Sequence, residues 1–463
     1  MPLYHITPQD LLFFRDSRPM ESSIGSGGHG GRWPAPAPFF DAIHAALWRA
    51  FPNPEPWENR HRFGRSANRD PHREPSKRFG GLSTVGPFPV LDGQWLFPCP
   101  SDVTRVDSLV LDVLKPLVGD SGRCNLPASW LRPLASLSPP TKDTPAAWWN
   151  KAAVESYLLG NVPAVGLHSA NELFDSEWTT GIGMDANTGK QDGERIYSAE
   201  YLRLRDGVRF GLHATLALPR SETEGMEWLF NGKGCIAVGG QQRICTVHSQ
   251  PGMIPSDALF MGLQGTKITK PCLKWTMLSP AIWLRISDST SRDQPRLDRQ
   301  GKPIVAHHGG WLPNWICPTT GRVLLKRGDT KRHAGESRAA WRERVYSATA
   351  FSEKTRLIAA RVPKYQVVTG WSDDLHIDPS DESKRAAGPK PTYLAAPAGS
   401  VYYFECSDAD EAKALADQLN WHGKGAGNSV QNRRFTLMGE KSFGLGVCGI
   451  WEPLDLSVPA TAA

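Results

Sequence analysis

The sequence predicts a mixed α+β fold, because a unit of strand, helix, glycine-rich loop and strand occurs twice along the chain. In the first copy, a strand-like run at 208–219 and a helical pattern at 222–231 precede the loop GKGCIAVGGQQR and the strand ICTVHS. In the second copy, a strand at 399–406 and a helix precede the loop GEKSFGLG and the strand VCGIWEP. This order matches the second half of a β-α-β-β-α-β ferredoxin-like unit. The two copies therefore predict two ferredoxin-like domains, against the alternative of a chance similarity.

Three further segments supply the remaining elements of these domains. Residues 3–7 read as a strand, and residues 38–51 read as a helix whose apolar residues recur at helical spacing. Residues 272–286 can begin the second domain. We therefore place an N-terminal domain at 1–250 and a C-terminal domain at 251–463.

Two segments need separate interpretation, the middle of the N-terminal domain and the helix of the second copy. Residues 55–195 carry many Pro, Ser and Gly residues between short apolar pieces, which predicts a large irregular insertion. Within it, residues 148–159 read as helix. In the second copy, Ser407 is expected to cap the helix, with Asp410 at the capping-box position.

Composition and charge restrict the partners and the location of the protein. The chain has 463 residues, of which 53 are basic and 47 acidic, so its formal net charge is +6. This mild excess permits a nucleic-acid partner, because a local basic patch matters more than the total charge. The N-terminus has no signal-peptide pattern, and no apolar run reaches the ~18 residues that a membrane span needs. We therefore expect a cytoplasmic protein with no membrane partner.

Several familiar motifs are excluded by their spacing. The eight cysteines contain no C-x-x-C pair, so a zinc ribbon or thioredoxin-like site is not expected. The tetrapeptide GDSG at 119–122 lacks the preceding histidine box of a serine protease. The set His307, His308, Cys317 and His333 matches no metal-binding spacing, so these histidines read as surface residues. No loop ends in the G-K-[ST] of a P-loop, and neither a metal nor a cofactor is predicted.

Three glycine-rich loops with basic neighbours carry the functional signal. They lie at 25–32, 232–243 and 439–449. Glycine lets backbone N–H groups approach a ligand closely, and successive N–H groups can form a nest for an anion. With Arg and Lys residues beside them, three such loops favour recognition of a phosphate backbone over plain turns.

Two basic segments add to this signal. Residues 60–78 hold seven basic residues without periodicity, and residues 322–344 hold eight. Each segment can be a phosphate-contacting loop or a solvated surface, and the sequence leaves both interpretations open.

The N-terminal run FFRDSRP, followed by a glycine-rich loop, a proline-bearing segment and a helix, resembles the start of a known family. The same holds for GW at 370–371, GPKP at 388–391, APAGSVYYF at 396–404 and the terminal GEKSFGLGVCGIW. Together these motifs are similar to the third subunit of the Cmr module, a repeat-associated mysterious protein (RAMP) of type III-B CRISPR effectors. The resemblance covers about residues 1–50 and 200–455.

The resemblance implies an RNA-binding subunit that acts in antiviral defence. It implies two ferredoxin-like (RRM-like) RAMP domains, without catalytic residues, that hold the repeat-derived 5′ tag of the CRISPR RNA. It also implies contacts with the large polymerase-like CRISPR subunit and with backbone RAMP subunits. Such RNA is held by phosphate contacts and by splayed bases on aromatic or arginine faces. The residues expected to contact RNA are Arg15, Arg18, Gly27, Gly28, His29, Gly30, Arg32, Gly239, Gly240, Gln241, Arg243, Lys441, Gly444 and Gly446.

Two enzymatic alternatives stay open at this point. Some RAMP proteins cleave precursor CRISPR RNA without a metal, and His29, which lies in a loop near two arginines, could serve as a general acid or base. The simpler role of His29 is a polar loop residue or a base-stacking contact. The second alternative is a metabolic α/β enzyme that binds a nucleotide in its glycine-rich loops, but no acidic metal-ligand cluster or nucleotide fingerprint supports it.

Overall fold

The structure is a computed structural model, and the residues that it describes form a mixed fold with many antiparallel strands and few helices. These residues are 3–16, 27–50, 82–107, 110–118, 126–184, 188, 190–216, 234–250, 262, 267–290, 293–297, 301, 303–327, 336–376, 385–421 and 436–455. None of the helices in these ranges is long and apolar enough to cross a membrane. The α-helices of these ranges are α1 (Ala37–Ala50), α2 (Lys151–Leu158), α3 (Arg338–Ser347) and α4 (Ala409–Leu419).

Strands make up most of the regular structure. In chain order they are β1 (Leu3–Pro8), β2 (Leu82–Leu91), β3 (Gln94–Pro98), β4 (Val103–Arg105), β5 (Leu111–Val113), β6 (Lys115–Pro116), β7 (Leu134–Ala135), β8 (Trp148–Asn150), β9 (Leu167–His168), β10 (Phe174–Met184), β11 (Gln191–Leu204), β12 (Val208–Leu216), β13 (Gly234–Val238), β14 (Arg243–Gln250), β15 (Cys272–Met277), β16 (Arg356–Arg361), β17 (Gln366–Val368), β18 (Trp371–His376), β19 (Arg385–Pro389), β20 (Tyr393–Ala395), β21 (Val401–Glu405) and β22 (Gly446–Ile450).

The first sheet has eight strands in the order β13-β14-β1-β12-β2-β3-β8-β9. Its central strand β1 pairs antiparallel with β14 on one side and with β12 on the other. Helix α1 covers one face of the sheet, where Phe39 and Ile43 share a core with Tyr4 and Phe210. Because side chains alternate along a strand, His5 points to the face opposite α1.

The second sheet has four strands in the order β16-β21-β15-β22. Helix α4 packs on β15 and β22, and its predicted apolar residues are buried: Ala412, Leu415, Ala416 and Leu419. The predicted cap is wrong by one residue, because the Asp408 carboxylate accepts the Glu411 N–H at 2.8 Å. Ser407 donates its hydroxyl to Asp408 at 2.9 Å instead of capping the helix itself.

Both sheets order their core strands in the same way. When these strands are counted along the chain, β14-β1-β12-β2 reads fourth, first, third, second, and β22-β15-β21-β16 reads the same. Every one of these pairings is antiparallel. The repeat noticed in the sequence corresponds to the third and fourth strand of each sheet. Its first predicted helix, at 222–231, lies outside the described residues.

The prediction of an irregular insertion at 55–195 is wrong for strands β2 and β3, because both belong to the first sheet. Strand β2 is buried along nearly its whole length. Its residues Pro87 and Pro89 contributed to the prediction of an irregular segment, because proline is unusual inside a sheet. The neighbouring strand β12 accommodates β2 through a register shift between Gly211 and His213.

Two other predicted elements differ in detail from the observed ones. The helix expected at 148–159 begins only at Lys151, after strand β8, and Asn150 caps it by accepting the Ala153 N–H at 2.9 Å. The glycine-rich loop expected at 232–243 contains strand β13, so its described turn is limited to 239–242. Pairing with β14 satisfies the backbone of β13, which local glycine content could not reveal.

A buried polar cluster ties the middle of the chain to the second sheet. The Tyr157 hydroxyl lies 2.9 and 2.8 Å from the two Asp102 carboxylate oxygens, and the Tyr403 hydroxyl also donates to Asp102. The Lys274 ammonium stands 3.3 Å from the centroid of the Tyr157 ring. Burial raises the pKa of Asp102 and lowers the pKa of Lys274 to about 8. Asp102 and Tyr157 therefore cover the second sheet, so the packing crosses the domain limit predicted at residue 250.

Candidate nucleic-acid interface

The segment 12–14 joins the first two glycine-rich loops. Leu12 exchanges backbone hydrogen bonds with Leu202 of β11, at 3.0 and 2.8 Å. The Phe13 carbonyl oxygen accepts the Gly240 N–H at 2.8 Å. On its other side the Phe13 ring lies against Gly30, where an added Cβ would come within 3.0 Å of the ring. The structure thus brings two of the three predicted loops together around Phe13.

The first loop lies flat on the hairpin formed by β10 and β11. Gly28 donates its N–H to the Ser198 carbonyl oxygen at 2.7 Å, and its own carbonyl oxygen accepts the Glu200 N–H at 2.7 Å. A Cβ at Gly31 would stand 2.5 Å from the Ser176 hydroxyl oxygen. Because a side chain here would collide with the hairpin, this close backbone approach requires glycine.

A carboxylate of the protein itself occupies the anion position of this loop. The Glu200 carboxylate accepts the Ser176 hydroxyl at 2.5 Å and lies 3.3 Å from the His29 ring, and the nearby backbone N–H groups of Gly30 and Gly31 favour its charged form. Burial acts to raise the pKa of Glu200, but these hydrogen bonds outweigh it, and the pKa lies below its usual value. The predicted backbone nest therefore holds Glu200 in this structure, where a phosphate was expected.

His29 is fixed by two neighbours on the same hairpin. Its ring meets the Trp178 ring edge to face, with 5.2 Å between the centroids, and its Nδ1 faces Glu200. Trp178 itself is 51% exposed. A histidine oriented by a carboxylate is an arrangement that acid–base catalysis uses, and the same arrangement also serves to hold a loop in place.

The second loop forms a tight turn that presents polar side chains. Gly239 adopts a φ of +73° and Gln241 one of +61°, and Gln241 is exposed. Next to the turn, the Arg243 guanidinium donates to Gln241 at 2.9 Å and to Asp10 at 3.0 Å. The same guanidinium lies over the Tyr201 ring, 5.7 Å from its centroid. These contacts hold a planar cation at the edge of the first sheet.

Two more cations flank the first loop. Arg15 and Arg32 are both exposed, and the Asp16 N–H donates to the His29 carbonyl oxygen at 2.8 Å, which keeps the two flanks of the loop together. Arg18 lies outside the described residues. The surface around Phe13 therefore carries Arg15, Arg32 and the stacked Arg243.

The third predicted loop is buried between the two sheets. The Lys441 ammonium lies 2.6 Å from the Asp41 carboxylate of α1, and the Lys441 side chain is only 4% exposed. Gly444 adopts a φ of +76°, and a Cβ at Gly446 would stand 2.3 Å from the Trp275 indole nitrogen. The structure thus gives Lys441, Gly444 and Gly446 a packing role in place of the predicted RNA contact, since α1 and the second sheet already occupy their surroundings.

The basic segments provide less surface than their composition suggested. The segment 60–78 lies outside the described residues, as does 328–335. In the described part of the second segment, Arg322 pairs with Glu353 at 2.7 Å and Arg344 pairs with Glu336 at 2.9 Å. These ion pairs agree with the alternative of a solvated surface.

His307 and Cys317 of the set considered for a metal are described, together with His308. Among the described residues no group of three or more His, Cys, Asp and Glu side chains could hold a metal ion. His307 is 4% exposed rather than at the surface, because it accepts the Gly309 N–H at 2.9 Å and its Nε2 lies 3.1 Å from the Ile316 carbonyl oxygen. His333 lies outside the described residues.

A cavity of about 250 Å³ lies between the first sheet and the segments that follow β15 and β20. The Trp33 indole is fixed at its wall, because it donates to the Pro87 carbonyl oxygen at 3.0 Å and meets the Trp148 ring at 5.3 Å. The lining is mostly apolar with few polar groups, and the volume is below the roughly 300 Å³ at which typical ligand pockets begin, which leaves room for a group no larger than one planar ring. Its lining includes Trp33, Pro87, Trp148, Pro280, Gln366 and Pro397.

Sequence reasoning missed the contribution of the β10–β11 hairpin. Ser176, Trp178, Glu200 and Tyr201 all contact the predicted loops, yet they lie more than a hundred residues away from the first loop in sequence. The stretch 191–204, with apolar residues between charged ones, carried a strand signal. The pairing with the loop is long-range, and no local pattern encodes it.

One family model matches nearly the whole chain. It is described as "CRISPR-associated protein (Cas_Cmr3)" and matches residues 4–307 and 321–451. No curated protein sequence matches this chain.

Several solved structures align with the chain at low similarity. A chain of the cryo-EM structure of the type III-B Cmr-beta bound to cognate target RNA and AMPPnP is 12% identical, with 88% of this chain and 86% of that chain covered and a TM-score of 0.39. A chain of the same assembly bound to cognate target RNA is 12% identical, with 87% and 86% covered and a TM-score of 0.37. A chain of the crystal structure of the Csm3–Csm4 subcomplex of a type III-A interference complex is 9% identical, with 88% and 94% covered and a TM-score of 0.34. TM-scores this low do not by themselves establish a common fold.

Proposed function

The chain belongs to the Cas_Cmr3 family of CRISPR-associated proteins, and from this premise we propose that it is a non-catalytic RNA-binding subunit of a type III-B effector complex. Its ligand is the repeat-derived 5′ tag of the CRISPR RNA, and its role is antiviral defence. Each sheet, with the strand order fourth-first-third-second and a helix on one face, is a ferredoxin-like unit in this proposal. The protein partners are the large polymerase-like subunit and the backbone RAMP subunits.

One observation carries the RNA part of the proposal, the collection of exposed polar and basic side chains around Phe13. Arg15 and Arg32 supply charge on one side, and Gln241 with the stacked Arg243 supplies a planar cation and an amide on the other. Arginine binds phosphate through a planar fork and also stacks on bases. Such a mixture fits single-stranded RNA, which is held by phosphate contacts and by stacked bases.

The cavity that Trp33 lines also supports the proposal. Trp33 directly follows Arg32 in the sequence, so the cavity lies next to the proposed contact at Arg32. The two indoles offer flat apolar surface and Gln366 offers an amide. Stacking on aromatic rings with one or two hydrogen bonds to the edge is how proteins hold a splayed base.

Titration of a labelled single-stranded tag RNA with the purified chain tests the proposal. The Arg15→Ala, Arg32→Ala double variant is expected to weaken binding roughly tenfold and to reduce the slope of log K against log salt by roughly 0.7 for each lost phosphate contact. Arg356→Ala, an exposed arginine of the second sheet, is the matched control and is expected to bind normally. Equal affinity of the double variant and the wild type would contradict the assignment.

The ribonuclease alternative is the second candidate, and one observation favours it, the Glu200 carboxylate beside His29. Incubation of the chain with repeat RNA in EDTA separates the two candidates. We expect no specific cut. A specific cut that His29→Ala abolishes would replace the non-catalytic proposal by metal-independent cleavage.

A further inference from the structure

The face of the first sheet opposite α1 carries a row of rings that spans five strands, from β14 to β3. His5 of β1 stands directly opposite His248 of β14 and, on its other side, opposite Gly211 of β12. The Trp95 ring of β3 reaches over Gly211, where a Cβ would come within 2.5 Å of it, and lies 6.0 Å from the His5 ring. The row therefore runs from a buried indole through a buried imidazole to the exposed ring of His248.

At its β14 end, this row of rings is surrounded mainly by polar side chains. His5 is 3% exposed, its Nδ1 lies 3.3 Å from the Gln250 amide nitrogen, and its Nε2 has no hydrogen-bond partner within the described part of the chain. Arg209 and His248 are exposed, and Ile244 is 42% exposed. The strand register places no carboxylate on this face among the described residues of β1, β12 and β14.

The equivalent face of the second sheet is covered by other parts of the chain. There Lys274 and Tyr403, which pair across β15 and β21, are covered by Asp102 and by Tyr157 of α2. Lys274 is 2% exposed, against the open positions of Arg209 and His248 on the first sheet. Of these two faces, the first therefore offers an imidazole ring and a guanidinium to solvent at its β14 end.

We propose that single-stranded RNA runs across the open end of this face, with a base on the ring of His248 and a phosphate on Arg209. The inference rests on the proposed function and extends its surface. Charge supports RNA as the occupant, because Arg209 is exposed on this face and the strand register places no carboxylate there among the described residues of β1, β12 and β14. Sequence-tolerant stacking on a sheet, with cations for the backbone, is a common way to hold single-stranded RNA.

Binding of a labelled single-stranded RNA to variants of the full chain, Arg243→Ala among them, tests the inference. Arg209→Ala and His248→Ala are each expected to weaken the affinity roughly fivefold to tenfold. Arg209→Ala also lowers the salt slope by roughly 0.7, whereas His248→Ala leaves the slope unchanged. His248→Phe keeps a stacking ring and is expected to restore most of the lost affinity. Arg49→Ala, exposed on α1 at the other face of the same sheet, is the matched control with wild-type affinity.

The outcomes separate this inference from the proposed function. Wild-type affinity of both face variants, together with weakened binding by Arg243→Ala, would overturn the inference and leave the proposed function in place. Loss of a protein subunit from the face variants with RNA affinity intact would also overturn it, and would identify a protein as the occupant. No RNA binding by the wild-type chain would overturn both. If Arg49→Ala weakens RNA affinity as much as Arg209→Ala does, the effect arises from net charge alone, which would contradict the inference.

Discussion

Replacing Glu200 by Gln is expected to release the first glycine-rich loop from its hairpin. The carboxylate accepts the Ser176 hydroxyl and lies 3.3 Å from the His29 ring, and the backbone N–H groups of Gly30 and Gly31 also favour its charged form. A hydrogen bond to a charged acceptor is stronger than one to a neutral acceptor by up to about 1 kcal/mol. Summed over the groups that favour the charged form, and discounted for the 20% exposure of Glu200, the loss of loop stability is about 2 kcal/mol. That loss multiplies the local opening equilibrium of the loop by about 30.

Amide hydrogen exchange measures this opening directly. The Gly30 and Gly31 amides are expected to lose protection in the variant, while the core strands keep theirs. Glu177→Gln on the same hairpin is the matched control, because Glu177 forms an exposed ion pair with Arg203 at 2.7 Å, and such pairs contribute little. Unchanged protection of the Gly30 and Gly31 amides in Glu200→Gln would show that the Glu200 carboxylate does not hold the first loop on the hairpin.

The same carboxylate sets an acid limit for the loop. Its folded-state pKa lies below its usual value, so its contribution is fully present above that usual value and is lost as the pH falls through the lowered pKa. Wild-type loop protection is therefore expected to decline in acid, and that of Glu200→Gln is expected to stay flat.

Three further predictions concern stability, each measured by chemical denaturation. Burial, with Arg209 and His248 nearby, lowers the pKa of His5 from 6.5 to about 4. Between these pH values the unfolded chain binds a proton that the folded chain does not bind, so the free energy of unfolding rises with pH by at most about 3 kcal/mol. His5→Gln is expected to remove this rise. Asp41→Ala removes the carboxylate that lies 2.6 Å from the buried Lys441 ammonium and costs about 2 kcal/mol, whereas the double variant with Lys441→Met recovers most of this loss. Gly239→Ala places a Cβ 2.6 Å from a backbone oxygen and costs roughly 2 kcal/mol more than Gly93→Ala, whose positive-φ site has nothing within 4 Å.

Local pattern carried the parts of the fold that were predicted well. Helix α1 extends over Ala37–Ala50, one residue from the expected 38–51, because its apolar residues repeat at helical spacing and Pro52 follows it. Strands β12, β14, β21 and β22 lie where the repeat was noticed. Each of these elements has an apolar pattern that its own residues specify.

Long-range pairing accounts for what the sequence could not predict. Strand β2 contains Pro87 and Pro89 and resembles a loop, yet it lies beside β12 in the middle of a sheet. The Glu200 carboxylate reaches the first loop across 171 residues from His29. Nothing local distinguishes a nest that binds phosphate from one that holds a carboxylate of the same chain.

The three glycine-rich loops also show that one composition serves different roles. The first packs on a hairpin, the second forms a turn with Gln241 at a positive φ, and the third is buried with Lys441 paired to Asp41. Glycine content indicated close backbone approach correctly in all three. The identity of the approaching group, which is protein in each case, depends on the tertiary fold.

Crosslinking of a photoreactive single-stranded tag RNA to the full chain maps the RNA-binding surface residue by residue. We predict crosslinks around Arg15 and Arg32, in the turn 239–242 and along β14 to His248. Crosslinks confined to the second sheet, or no crosslink above that of a double-stranded control RNA, would contradict this prediction.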